Sequence, residues 1–262
     1  MVGNFNWRCK PVPDKRFINL MGIIGKFDMS HGPWIAGGSV RKLWQNAKWT
    51  DEDVDIFFPS RDAFKKFTSD LQARYNRSQK TCLTMVTNDG FEYADTQEIT
   101  ELFGNVTNPT PKTWTGLALE HAKSLFKSKN PDNHPYIDAM FSSDNAITFT
   151  FGGLSKFFGE RGTIKIQCIC KDFPSSAEEL VNSFDWTICQ FVSDGKIMWA
   201  PSESVRDLEN NQIVTNIESN KVIKVPRLMK YISYGFEPSN ELMLTTLRYL
   251  ESGAGKDIAD DY

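Results

Sequence analysis

The stretch from Trp34 to Phe58, WIAGGSVRKLWQNAKWTDEDVDIFF, constrains this chain more than any other. Within it a glycine turn, a helix start and two acids set two apart follow one another closely. Trp34-Ile35-Ala36 reads as a short buried strand and Gly37-Gly38 as a turn where no side chain blocks an approaching ligand. Ser39 onward reads as a helix, with Ser39 as its natural N-cap. Val54, Ile56, Phe57 and Phe58 mark a second strand, on which Asp53 and Asp55 project from one face. The pair is followed by Ile-Phe-Phe and not by polar residues, which argues against a solvated strand edge.

That order of residues carries a chemical proposal. Backbone N–H groups at a glycine turn and in a first helical turn point outward unpaired, so Gly37, Gly38 and Ser39 suit a polyphosphate. Arg41 and Lys42 add positive charge beside them. Two carboxylates on one face suit magnesium or manganese; magnesium takes a few carboxylates together with substrate phosphates and water. A pair of such ions can clamp the attacking and leaving oxygens of a phosphoryl transfer. Asp53 and Asp55 are therefore the expected metal ligands and catalytic acids.

Composition limits the partners. The 262 residues suffice for one large domain, or one domain plus an appendage. A net charge of −3 and a pI near 5.7 create no global field for nucleic acid, so any such binding must be local. No apolar run approaches the length of a membrane span, and MVGNFNWRCK lacks the apolar core of a signal peptide, so no membrane is expected and the expected compartment is the cytoplasm. Cys9, Cys82, Cys168, Cys170 and Cys189 make an odd count and read as reduced packing residues.

Along the chain, the opening to about Phe17 reads as loop and Phe17 to Phe27 as a short helix or strand. Arg61 to Arg74 shows helical spacing, and Thr81 to Thr87 reads as a strand closed by the turn Asn88-Asp89-Gly90. Residues 91–144, with a helical pattern at Trp114 to Lys127, read as an inserted segment. Strands are expected at Ala146 to Phe151, Thr163 to Cys170 and Trp186 to Val192, with a helix capped by Ser176 between the last two. Val205 to Leu208 and Pro226 to Tyr234 read as helices, Gly235 closes the second, and the tail GAGKDIADDY reads as mobile. The expected architecture is α/β (α+β): a head over 1–225 with a mixed, largely antiparallel sheet flanked by helices, and a short helical extension over 226–262.

The turn Gly38-Ser39 and the pair Asp53-Val54-Asp55 resemble the signature of the DNA polymerase beta type nucleotidyltransferase superfamily: a Gly-Gly or Gly-Ser turn, a short spacer, then Asp-x-Asp on a strand. A second stretch, Glu178 to Phe236, resembles part of the head domain of class II tRNA CCA-adding enzymes and bacterial poly(A) polymerases. Asp185-Trp186-Thr187-Ile188 falls on the Asp-Phe-Thr-Ile core of their Arg-Arg-Asp-Phe-Thr-Ile-Asn motif. Asp194-Gly195, Asp207-Leu208 and Arg227 through Lys230 fall on later landmarks in the same order. The departures are Ser183-Phe184 for the paired arginines, Cys189 for the asparagine, Lys42 for an acid, and Val225 for the Asp before proline. They leave the base-selecting apparatus of that class without its usual residues. The long helical neck, body and tail of the class have no counterpart here, so a self-sufficient CCA-adding enzyme is not expected.

The resemblance implies transfer of a nucleoside monophosphate from a nucleoside triphosphate to a hydroxyl, with pyrophosphate leaving and an RNA 3′ end as acceptor. A third acid is usual in this superfamily as metal ligand or base. The strand Thr163 to Cys170 offers only Gln167 there, so Asp185, between Phe184 and Trp186, is the expected substitute, with a ribose contact as its other reading. Two further functions stay open: transfer to a protein, small-molecule or nucleotide acceptor, and a nucleotide-binding module without turnover. Neither the base nor the oligomeric state is legible.

Overall fold

The computed structural model describes residues 6–75, 84–87, 90–93, 135–154, 163–216 and 225–251. The helical pattern at Trp114 to Lys127, the turn residues Asn88 and Asp89, and the tail from Gly253 lie outside them. Strand β1 (Trp7–Pro11) is followed by α1 (Lys15–Ile24), β2 (Trp34–Ala36), α2 (Gly38–Trp44), β3 (Val54–Phe57), α3 (Arg61–Tyr75), β4 (Thr84–Thr87) and β5 (Gly90–Tyr93). Next come β6 (Tyr136–Ser142), β7 (Ala146–Gly152), β8 (Ile164–Ile169), α4 (Ala177–Asn182), β9 (Val192–Ser193) and β10 (Ile197–Pro201). The chain continues through α5 (Ser202–Glu209), β11 (Gln212–Ile213), α6 (Val225–Ser233), β12 (Glu237–Pro238) and α7 (Asn240–Glu251).

Ten of these strands form one sheet in the order β1-β10-β9-β2-β3-β8-β7-β6-β4-β5. Its pairings are antiparallel except for β3 with β8 and β4 with β6. The fold is therefore α/β with a mixed, largely antiparallel sheet flanked by helices, as expected. Alternation explains its centre. In β3, Val54 and Ile56 are buried while Asp55 and Phe57 sit half-buried on the other face. In β2 both faces are covered: Ile35 joins the large core with Val54, Ile56 and Ile166, whereas Trp34 and Ala36 pack with Leu180 and Val181 of α4. Helix α1 turns Phe17, Leu20, Met21 and Ile24 inward, the spacing of one helical face. Its N-cap, Asp14, accepts hydrogen bonds from the Arg16 N–H at 2.8 Å and from Trp49 Nε1 at 3.0 Å.

Three local expectations need correction. The opening is not all loop: Trp7–Pro11 pairs antiparallel with β10, and as an edge strand it tolerates Pro11, whose missing N–H interrupts no ladder. Trp186 to Val192 is not one strand: Thr187–Cys189 is a turn of 3₁₀ helix and only Val192–Ser193 joins the sheet. Every residue from Trp186 to Ser193 is buried, so this run carries no one-sided periodicity to read. Its polar members bond inward, Thr187 Oγ1 donating to Asp207 Oδ2 at 2.8 Å and Gln190 Nε2 to the Val181 carbonyl at 3.0 Å. Ser39 does not cap α2; Gly37 occupies the cap position at φ 88°, and the Ser39 side chain lies wholly inside.

Candidate active site

The site grows from the register of three strands. Antiparallel pairing of β2 with β3 sets Ala36 opposite Asp55, which brings the following turn over the Asp55 carboxyl. A Cβ on Gly37 would stand 3.1 Å from Asp55 Oδ2, and one on Gly38 3.1 Å from Glu52 Oε2. Gly37 also holds φ 88°, where a side chain is strained whatever the space. Parallel pairing of β3 with β8 sets Gln167 beside Asp55. The Gln167 amide donates to Thr148 Oγ1 at 3.3 Å, so the neighbouring strand supplies an amide where a third acid was sought.

Asp53, just ahead of β3, is exposed, whereas Asp55 is deeper. Burial, then the negative charge of Asp53, pushes the Asp55 carboxyl up to about 7; the positive charge of Arg227 pulls the other way. Two acids held together on the lip of a sheet, one of them reluctant to ionise, make a place that favours a cation.

Both acids line a cleft of about 380 Å³ whose wall includes Gly37, Gly38, Glu52 and Gln167. Helix α6 contributes Arg227, Lys230 and Tyr231 to the same cleft, and Phe57, Ile169 and Phe184 form an apolar part of its lining. The Phe57 and Phe184 rings meet edge to face, centroids 5.8 Å apart. In the sequence the cations of α6 stand only as landmarks of the resemblance. Their spacing is the available signal, since residues three apart share a helix face.

The remaining expected site residues fall elsewhere. Ser39 and Arg41 are buried and, with Lys42, are not among the residues lining the cleft. The Arg41 guanidinium stacks over Tyr231 at 4.8 Å and Phe236 at 5.2 Å, and approaches Glu52 Oε1 at 3.9 Å. Lys42 Nζ lies 3.5 Å from the same Glu52 oxygen and 5.5 Å from the Tyr234 ring centre. Among the described residues, Ser39 Oγ, Arg41 Nε and Nη1, and Glu52 Oε1 have no hydrogen-bond partner. Asp185 accepts from the Trp186 N–H at 3.1 Å and stands 3.4 Å from Arg227 Nη2; it too is absent from the lining.

Among the described residues no group of three or more His, Cys, Asp or Glu is placed to hold a metal. Asp53 and Asp55 nevertheless fit the needs of magnesium, which accepts one or two carboxylates and completes its shell with phosphate and water.

Fold and cleft together define the class: an α/β domain whose mixed sheet presents an acid pair beneath a glycine turn. Within that class the chain belongs to the Gabija anti-defense 2 family, Gad2, whose model matches residues 13–211. No curated protein matches the chain. Among solved structures, the complex structure of CCA-adding enzyme with CTP is similar over 94% of this chain and 46% of its own length, at 15% identity and a TM-score of 0.43. The chain thus spans less than half the length of that structure.

Proposed function

We propose that this protein is a magnesium-dependent nucleotidyltransferase, moving a nucleoside monophosphate from a nucleoside triphosphate to a hydroxyl. The observation that carries this reading is the single cleft in which Asp53 and Asp55 share space with the bare Gly37-Gly38 turn and with Arg227 and Lys230. Such a cleft has two charges to satisfy, and a triphosphate with its metal satisfies both. Magnesium held by Asp53 and Asp55 would supply charge neutralisation on the transferring phosphoryl group. Arg227 and Lys230 would bind the β- and γ-phosphates, and the glycine turn would let them approach the backbone. Phe57 and Phe184 would offer an apolar surface for the base or sugar. The acceptor oxygen forms a bond to the α-phosphorus, the bond to the bridging oxygen breaks, and pyrophosphate departs. The acceptor proton goes to water, which reaches the exposed Asp53. Most of the rate would come from positioning and electrostatics.

By resemblance the acceptor is an RNA 3′ end. The family description favours a second reading of the acceptor alone: a hydroxyl on a protein or nucleotide belonging to the Gabija defence. The test uses each of the four triphosphates, labelled at the α-phosphate, with magnesium, offered RNA, defence proteins and the protein itself as acceptors, with released pyrophosphate assayed in parallel. Label on one acceptor class, lost in the Asp53→Ala, Asp55→Ala double variant, supports transfer and names the acceptor. Triphosphate binding without release under any pairing would replace transfer by a nucleotide-binding module.

A further inference from the structure

Helix α7 wears its apolar face outward. Only Leu242 and Thr246 are buried, whereas Met243, Leu244, Leu247 and Leu250 are 47%, 55%, 51% and 46% exposed. A helix on a globular surface ordinarily turns such a stripe to the core, and exposed patches of this kind mark interaction sites. Spacings of three and four residues place these side chains in one continuous row, with exposed Asn240 and Glu251 at its two ends. Beside the row, on one edge, lie Glu241 and Arg248, seven residues and therefore two turns apart, both exposed.

We infer that α7 pairs with α7 of a second copy of this chain, antiparallel, about a two-fold axis near the middle of the helix. The charge pattern selects this occupant. In an antiparallel helix pair each edge meets the same edge of its partner, running in reverse. Glu241 then faces Arg248 of the other copy and Arg248 faces Glu241, so one edge carries two opposite-charge contacts and no like-charge one. With the axis near residue 245, Leu244 comes within about 1.5 Å of level with Leu247 of the other copy, as Glu241 does with Arg248, and Met243 within about 4.5 Å of level with Leu250, so the apolar row closes on itself. A parallel pair in register would instead set this edge against the partner's opposite edge, leaving Glu241 and Arg248 without charge partners. The contact is isologous and closed, as two-fold dimers are. At roughly 18 Å of helix it is small, so the dimer is concentration-dependent.

Sedimentation equilibrium and light scattering across a wide concentration range test this. The unaltered chain is expected to shift from monomer to dimer, and Leu244→Glu, Leu247→Glu to stay monomeric with an unchanged circular dichroism melt. Glu241→Arg and Arg248→Glu, each alone, place like charges together and should weaken association about tenfold or more. The double variant Glu241→Arg, Arg248→Glu should restore it. A monomer at every concentration would mean that another occupant covers the stripe and overturns the proposal. So would a dimer indifferent to the charge swaps, because it would use another surface.

Discussion

Asp185 meets the Arg227 guanidinium at 3.4 Å, while Arg227, and not Asp185, lines the cleft with Asp55. The acid between Phe184 and Trp186 therefore reaches the site through an arginine. Asp185→Asn is expected to loosen Arg227 and weaken triphosphate binding, raising KM with kcat at saturation changed less than threefold or so. A large loss of kcat at saturating triphosphate would instead make Asp185 the base. Arg227→Ala should copy the KM effect.

Asp53→Asn and Asp55→Asn should each abolish transfer while the fold persists. Removing one proposed metal ligand forfeits charge stabilisation worth several kcal/mol, hence a loss of about a hundredfold or more. Single-turnover rates with each variant check this, and full activity in both would move the chemistry elsewhere.

The raised Asp55 carboxyl makes stability depend on pH. Its folded value of about 7 lies above the ordinary 3.8, so the folded chain holds this proton more tightly than the unfolded one. The stabilisation is complete below about 3.8 and is lost as pH rises to about 7. Thermal melts without metal should therefore fall between pH 5 and pH 8 by the equivalent of roughly 1 to 3 kcal/mol. Asp55→Asn should flatten that slope, and magnesium should raise the melting temperature more at pH 8 than at pH 5.

Gly37→Ala is expected to destabilise by about 1 to 2 kcal/mol, since it strains a residue at φ 88° and crowds Asp55 Oδ2. Activity should fall further than stability does, because the methyl group enters the proposed phosphate site. Chemical denaturation and steady-state kinetics on one preparation separate the two effects.

Arg41 is 2% exposed and bridges α2 to the rings of Tyr231 and Phe236. Arg41→Ala should cost about 3 to 5 kcal/mol, as it removes the buried partner of Glu52 and opens a cavity. The double variant Arg41→Met, Glu52→Gln should recover much of that loss in urea titrations. A loss of triphosphate affinity with stability unchanged would return Arg41 to the phosphate site.

The centre of this protein was legible because its pattern is one-sided. Val54 and Ile56 point in while Asp55 points out, and alternation of that kind names both the strand and its functional face. Legibility ended where burial becomes complete or inverted. From Trp186 to Ser193 every side chain is buried, so turn and strand look alike. Ser39 has the composition of a cap, yet tertiary packing took its side chain inside and left the cap to Gly37. Helix α7 lies within the expected helical extension over 226–262, but its bounds are not legible because its leucines face out. The cationic wall is not legible because α6 shares the cleft with β3 only through the fold, far from it in sequence.

The parallel pairing of Asp55 with Gln167 joins positions more than a hundred residues apart, and Arg227 joins them later still. A chain emerging during synthesis thus exposes its acid pair well before the strand that shelters it, and before the helix that balances its charge. Long-range pairing of this kind forms slowly. The growing chain would therefore carry its acid pair without the cations of α6 until Arg227 and Lys230 have been made. Its own repelling carboxylates would discourage premature contacts during that interval.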